Sequence, residues 1–314
     1  LAALLLCLLV AASAASARSA SAQASQGGAS ASVATGSRLD QARRFWTPQR
    51  MRDAQALPVQ LPGNAQLADG TPGSTPSAGL PGESVIPTEM IADPTAPGLS
   101  QNGVVFVVGR FGTLGRCSGT SVNAPNFSLV ITAGHCVHEG SHWTGTKWVF
   151  VPGYRYGERP FGTFVAKWLG STPQWIESEN SNYDVGAAVV SRNERGQRLA
   201  DAVGADDIAF NLPLKQVFDI YGYPVAEPFD GATLQHCAQT PYEGHAFFSL
   251  LTSGPLNLAV HCEISAGASG GGWVIAGNVL NGVTADGYPG DDTNYGPYFG
   301  KEVAKLYARA AKVK

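Results

Sequence analysis

From Val104 onward the chain is written in short runs of β-branched and aromatic residues, each stopped by Gly, Pro or Asn, and this texture sharply limits how it can fold. The runs 104–108, 128–131, 148–151, 185–190 and 217–221 are short for helices, and their residue types suit a pleated, half-buried surface. Many short strands between turns predict an all-β sandwich or barrel. A different period closes the chain. Val303, Leu306, Tyr307 and Ala310 recur at i, i+3, i+4 and i+7, with Lys301, Glu302, Lys305 and Arg309 off the stripe, which predicts an amphipathic helix.

The first hundred residues read differently. An apolar run from Leu1 to Val10 passes into small residues, and Ala20-Ser21-Ala22 fits a small-residue cleavage site. We expect a secretory signal peptide over residues 1–22, N-terminally incomplete, cut after Ala17 or after Ala22. The strongly apolar part is shorter than the ~20 residues needed to cross a bilayer, which argues against an anchor. Cys7 lacks the small neighbours of a lipid-attachment site and leaves with the signal. Residues 23–99 are rich in Ala, Ser, Gly, Pro, Gln and Thr without a sustained period, and read as a low-complexity propeptide or linker. Within them residues 39–57 offer a helical stretch whose Phe45, Trp46 and Met51 could dock on the folded part. The folded domain is then 100–314.

Four cysteines remain, Cys117, Cys136, Cys237 and Cys262, an even number that predicts two disulfides and a secreted, oxidising destination. Four cysteines permit three pairings, and a zinc site is the alternative reading. A net charge of -3 with 14% charged residues offers no basic field for nucleic acid and no polybasic membrane patch.

Two boxes carry the chemistry: Thr132-Ala133-Gly134-His135-Cys136 and Gly267-Ala268-Ser269-Gly270-Gly271, with Asp184 between them. A serine hydroxyl attacks an acyl carbon only if an imidazole takes its proton and a carboxylate holds that imidazole's tautomer. Asp201, Asp206, Asp207 and Asp219 also lie between the boxes, but only Asp184 directly precedes a strand-like run. His138, His142, His236, His245 and His261 read as surface or loop residues, with His261 a candidate pocket residue.

The order His, Asp, Ser, together with Cys117-Ser118-Gly119-Thr120, Asn182-Tyr183-Asp184-Val185 and Gly222-Tyr223-Pro224, resembles the chymotrypsin-like, trypsin-superfamily serine peptidases. The nearest likeness is to their secreted bacterial trypsin-like and glutamyl-endopeptidase-like branch, over roughly residues 103–300. The resemblance implies two six-stranded Greek-key β-barrels with a C-terminal helix, His135 and Asp184 on the first barrel and Ser269 on the second. It implies disulfides Cys117–Cys136 and Cys237–Cys262, and an oxyanion hole from the N–H groups of Gly267 and Ser269. The implied activity is a secreted serine endopeptidase acting on protein or peptide substrates through an acyl-enzyme. No cofactor, no metal, no nucleic-acid partner and a monomer are expected.

Two departures stand out. Ala268 occupies the place where animal trypsins carry an Asp that pairs with a new N-terminal amine, so that activation is excluded here; Gly272 stands where Pro is usual. For the substrate pocket, Glu263 lies six residues before Ser269, where trypsin carries its specificity carboxylate, and Asp286 follows the strand-like 282–284 and is a second candidate. Asp286, Asp291 and Asp292 read as solvated rather than as a calcium site. Two other readings use the same residues: a catalytically silent domain acting in binding or adhesion, and an esterase, which would need a strand–helix alternation missing here.

Overall fold

The computed structural model describes residues 30–33, 36–57, 86–145, 147–287 and 292–314, so the expected signal peptide, Cys7 and Asp291 lie outside the described residues. The first half is built from β1 (Asn102–Val108), β2 (Leu114–Val122), β3 (Leu129–Thr132), β4 (Val149–Pro152), β5 (Phe164–Ser171) and β6 (Gly186–Val190). They pair antiparallel in the order β1-β2-β3-β6-β5-β4, and β4 returns to β1, so the barrel closes without a free edge. Val105, Val107, Cys117, Val130, Phe150 and Leu169 fill its interior. The alternate residues Val104, Phe106, Val149, Val151 and Val165 point outward, yet they too are buried. Burial on both faces is why these strands read as continuous apolar runs rather than as alternation.

What covers the outer face is the N-terminal segment. Helices α1 (Ser37–Phe45) and α2 (Pro48–Asp53) bury Ala42, Trp46, Met51 and Ala54 in one cluster with Phe106 and Tyr154. Trp46 Nε1 donates to the Lys147 carbonyl at 2.6 Å, and Thr47 Oγ1 caps α2 by accepting from the Arg50 N–H, with Pro48 in the first turn. Short strands Ser30–Ser32 and Gln55–Ala56 extend the sheet beside β5 and β2. Within the low-complexity stretch 23–99, the helical alternative over 39–57 is therefore the one these residues adopt, docked on the barrel. The helical period was hard to see because Trp46 and Thr47 interrupt it, ending one helix and capping the next.

The second half contains β7 (Val217–Gly222), β8 (Gln235–Pro241), β9 (Leu258–His261), β10 (Gly272–Ile275), β11 (Val279–Val283) and β12 (Thr293–Gly296). Ladders join β8-β7-β10-β11 and, separately, β9-β12. The two sheets are linked by the Cys237–Cys262 disulfide on one side and by the Ala285 N–H to Tyr295 carbonyl bond, 2.9 Å, on the other. The resulting order β7-β8-β9-β12-β11-β10 repeats that of the first barrel, around Phe218, Ile220, Leu258, Val260 and Trp273. Both disulfides implied by the resemblance are present, the other being Cys117–Cys136. Helix α3 (Lys301–Ala310) lays Val303, Leu306 and Ala310 into a cluster shared by Ile131 and Val189 of the first barrel and Leu280 and Val283 of the second. Among the described residues no helix is long and apolar enough to cross a membrane.

Candidate active site

The β3–β6 ladder decides which residues meet. Gly186 pairs with Thr132, so the residues just before β6 lie opposite those just after β3, and Asp184 reaches His135. The carboxylate grips the histidine twice: Oδ1 accepts the His135 backbone N–H at 2.8 Å, and Oδ2 lies 2.8 Å from Nδ1. Both side chains are buried, and a carboxylate at Nδ1 selects the tautomer with the proton there, leaving the Nε2 lone pair free. Nε2 is buried and has no hydrogen-bond partner among the described residues. Gly134 is required between them, because a Cβ there would come within 2.7 Å of Asp184 Oδ1 and 2.9 Å of Trp175. The Asp184 turn is fixed from outside: Thr172 Oγ1 donates to the Tyr183 carbonyl at 2.6 Å and Ser171 Oγ to the Val185 carbonyl at 2.7 Å.

Burial pushes the His135 pKa down, but the charge and hydrogen bond of Asp184, with smaller contributions from Asp286 and Glu139, carry it above the ordinary imidazole value. The ring is thus a stronger base than a free histidine.

Ser269 is partly exposed at the start of a glycine turn from the second half, and residues of the first barrel hold that turn. The Ser118 N–H donates to the Ser269 carbonyl at 2.7 Å, and Ser118 Oγ donates to the Gly267 carbonyl at 3.1 Å while accepting from the Tyr223 N–H at 2.9 Å. Gly270 has φ +83°, and a Cβ there would collide with Thr132 Oγ1 and the Ser118 carbonyl, so the turn presses directly on the histidine box. Its N–H donates to the Thr284 carbonyl at 2.6 Å. The N–H groups of Gly267 and Ser269 donate to no described acceptor. Ser269 Oγ is not hydrogen-bonded to His135 Nε2 in this structure. Ala268 is fully buried in the second barrel's apolar cluster, a position that would leave an aspartate carboxylate unsolvated.

The two pocket candidates differ. Glu263 is exposed, and its backbone N–H donates to the Ile86 carbonyl at 3.2 Å; an exposed side chain does not form a closed pocket base. Asp286 is half-buried, Oδ1 accepts the Gly287 N–H at 2.9 Å, and Oδ2 has no partner among the described residues. Burial raises its pKa to about 6; the Gly287 hydrogen bond opposes this, the Asp184 charge adds to it and His135 opposes it. Asp286 therefore feels the His135–Asp184 pair electrostatically. Cys117, Cys136 and His135 bring three donor atoms together, but both sulfurs are spent in a disulfide, so this set does not fit a metal.

Sequence reasoning missed two supporting residues. Ser118 lay within a motif already singled out, but its partner Gly267 is 149 positions away and no local signal marks their contact. Trp175, on the short helix Pro173–Ser178, donates from Nε1 to the His138 carbonyl at 3.0 Å and sets its ring edge-on to His135 at 6.3 Å.

Solved structures of proteases are similar to the chain over most of its described length. The crystal structure of the protease Anisep from Arthrobacter nicotinovorans is matched at 33% identity over 72% of this chain and 100% of that one, with a TM-score of 0.65. The thermostable serine protease AL20 from an extremophilic microorganism is matched at 32% over 69% of this chain and 100% of that one, TM-score 0.63. A Glu endopeptidase shares the fold at 18% identity, covering 74% of this chain and 99% of its own, TM-score 0.57. A curated relative, the extracellular metalloprotease of Bacillus subtilis (strain 168), is 39% identical over 71 residues, 23% of this chain. That match spans only 22% of the relative's length. No family model matches the chain.

Proposed function

The chain belongs to the bacterial serine proteases of chymotrypsin-like fold, and on that footing we propose that it is a secreted, monomeric endopeptidase using Ser269 as nucleophile. His135 takes the hydroxyl proton on Nε2 as Oγ attacks the scissile carbonyl, then returns that proton to the leaving amine. Asp184 holds the ring and stabilises the imidazolium. The acyl-enzyme is hydrolysed by a water that His135 deprotonates in turn. The observation that carries this reading is the two-point grip of Asp184 on His135, which uses up Nδ1 and leaves Nε2 as the acceptor.

The oxyanion forming on the carbonyl is assigned to the N–H groups of Gly267 and Ser269, an assignment supported by their lack of an acceptor among the described residues. Loss of one such donor costs about 10² to 10³ in rate. In these roles Ser118 and Trp175 are positioning residues: one fixes the nucleophile turn, the other supports the histidine box. Asp286 rather than Glu263 is the carboxylate proposed to face substrate, because it senses the catalytic pair. No step requires a metal or cofactor. Export is supported by the two disulfides.

Labelling with a fluorophosphonate tests the reading. Modification confined to Ser269, and abolished in Ser269→Ala, is expected. Folded, disulfide-intact protein that takes up no label would instead favour a silent binding domain.

A further inference from the structure

On the flank of α3, away from the catalytic residues, a cleft of about 460 Å³ runs between the first barrel and the last residues of the chain. Among the described residues five cationic side chains line it, Lys167, Arg192, Arg198, Lys312 and Lys314, and no acidic side chain does. The chain as a whole carries a net charge of -3, so this concentration runs against its average. Arg198 is held by Asp201 through bonds of 2.6 and 2.9 Å. Arg192 Nη1 donates to the Gly196 carbonyl at 2.7 Å, and its other N–H groups meet no acceptor among the described residues. No ion pair joins Lys167, Lys312 or Lys314 to a described carboxylate.

We propose that this cleft binds a small multivalent oxyanion, a compound carrying two or more phosphate or sulfate groups. Its volume falls in the usual range for small-molecule sites, roughly 300 to 1,000 Å³. Guanidinium forks and ammonium groups together are the chemistry that phosphate and sulfate oxygens select. Mutual repulsion gives the ligand something to relieve: burial, and after it the charge of Arg192, lowers the Lys167 pKa.

The walls couple the cleft to stability rather than to catalysis. Lys167 comes from β5, Val190 ends β6, and Lys312 and Val313 follow α3, while Asn126 Nδ2 donates to the carbonyls of Ala310 at 2.9 Å and Val313 at 3.1 Å. Asp184 lies at the opposite end of β6, roughly 17 to 20 Å along the strand from Val190. An anion held here clasps the C-terminal segment to the barrel.

The test is a thermal melt of the full chain with EDTA present, comparing tripolyphosphate with sodium chloride at equal ionic strength. At a hundredfold excess over Kd, tripolyphosphate is expected to raise Tm by about 5 to 10 °C, with kcat/KM on a peptide substrate unchanged. Lys167→Gln with Lys312→Gln should abolish the rise. Lys312→Gln alone, at an exposed site that folding tolerates, should raise the half-saturating concentration about tenfold. A rise matched by sodium chloride, no rise, or a rise kept by the double variant would overturn the proposal. So would sedimentation with phosphatidylglycerol vesicles without any response to tripolyphosphate, which would assign the phosphate to a lipid surface.

Discussion

Among the described residues histidine and aspartate are seen to pair at His135–Asp184 and at His236–Asp219, and the two pairs are chemically opposite. In the first barrel Asp184 takes both the backbone N–H and Nδ1 of His135, with side-chain exposures of 3% and 2%. In the second, His236 uses Nε2 on Asp219 at 3.1 Å, with exposures of 15% and 19%, and its ring stacks flat on Tyr221 at 4.5 Å. The same Asp219 oxygen also accepts the Gln239 N–H at 3.1 Å. Pairing with a carboxylate is thus common to both and distinguishes neither. What separates a base from a structural histidine is which nitrogen remains and whether a nucleophile lies beside it.

That contrast can be broken by paired variants. His135→Ala should lower kcat/KM by about 10⁴ to 10⁶, whereas His236→Ala should stay within about threefold; comparable losses in steady-state assays would erase the distinction. Asp184→Asn leaves the geometry while favouring the wrong tautomer and should cost about 10⁴, against little for Asp219→Asn.

The two barrels differ in a way that disulfide removal sharpens. Cys117–Cys136 closes a separation of 19 residues within a barrel already sealed by ladders, but Cys237–Cys262, with a separation of 25, joins two sheets that no ladder among the described residues connects. Loss of a native disulfide typically costs about 2 to 5 kcal/mol. Chemical denaturation should place Cys237→Ser/Cys262→Ser near the top of that range and Cys117→Ser/Cys136→Ser near the bottom.

The smallest effect is a shift in a pH profile. On the proposed mechanism peptidase activity needs neutral His135, so it should fall as pH drops through that group's pKa, which lies above the usual imidazole value. The negative charge of Asp286 contributes to the elevation. Asp286→Asn should therefore move the acid limb of kcat/KM toward lower pH, and a profile that stays in place would remove Asp286 from the site's electrostatics.

How legible was all this before folding? The strands were, because β-branched runs between turns are a local signal, and so was α3, whose stripe lands on the shared core as its period predicts. The glycines of the boxes around His135 and Ser269 have a local physical reason, since Gly134 and Gly270 are enforced by contacts that a Cβ would violate. The helices over 36–57 were only half legible, since their stability comes from covering the outward face of the first barrel.

Residue types, spacing and chain order by themselves determined an all-β class, an even set of cysteines, and a histidine, an aspartate and a serine suited to one chemistry. Only the tertiary structure decided the rest. The Gly186–Thr132 register put Asp184 beneath His135, Ser118 tied the Ser269 turn to the opposite barrel, and Glu263 came out exposed while Asp286 came to feel the His135–Asp184 pair. Each depends on contacts between residues far apart in sequence, and the electrostatics that set a pKa act through space, where chain position carries no information.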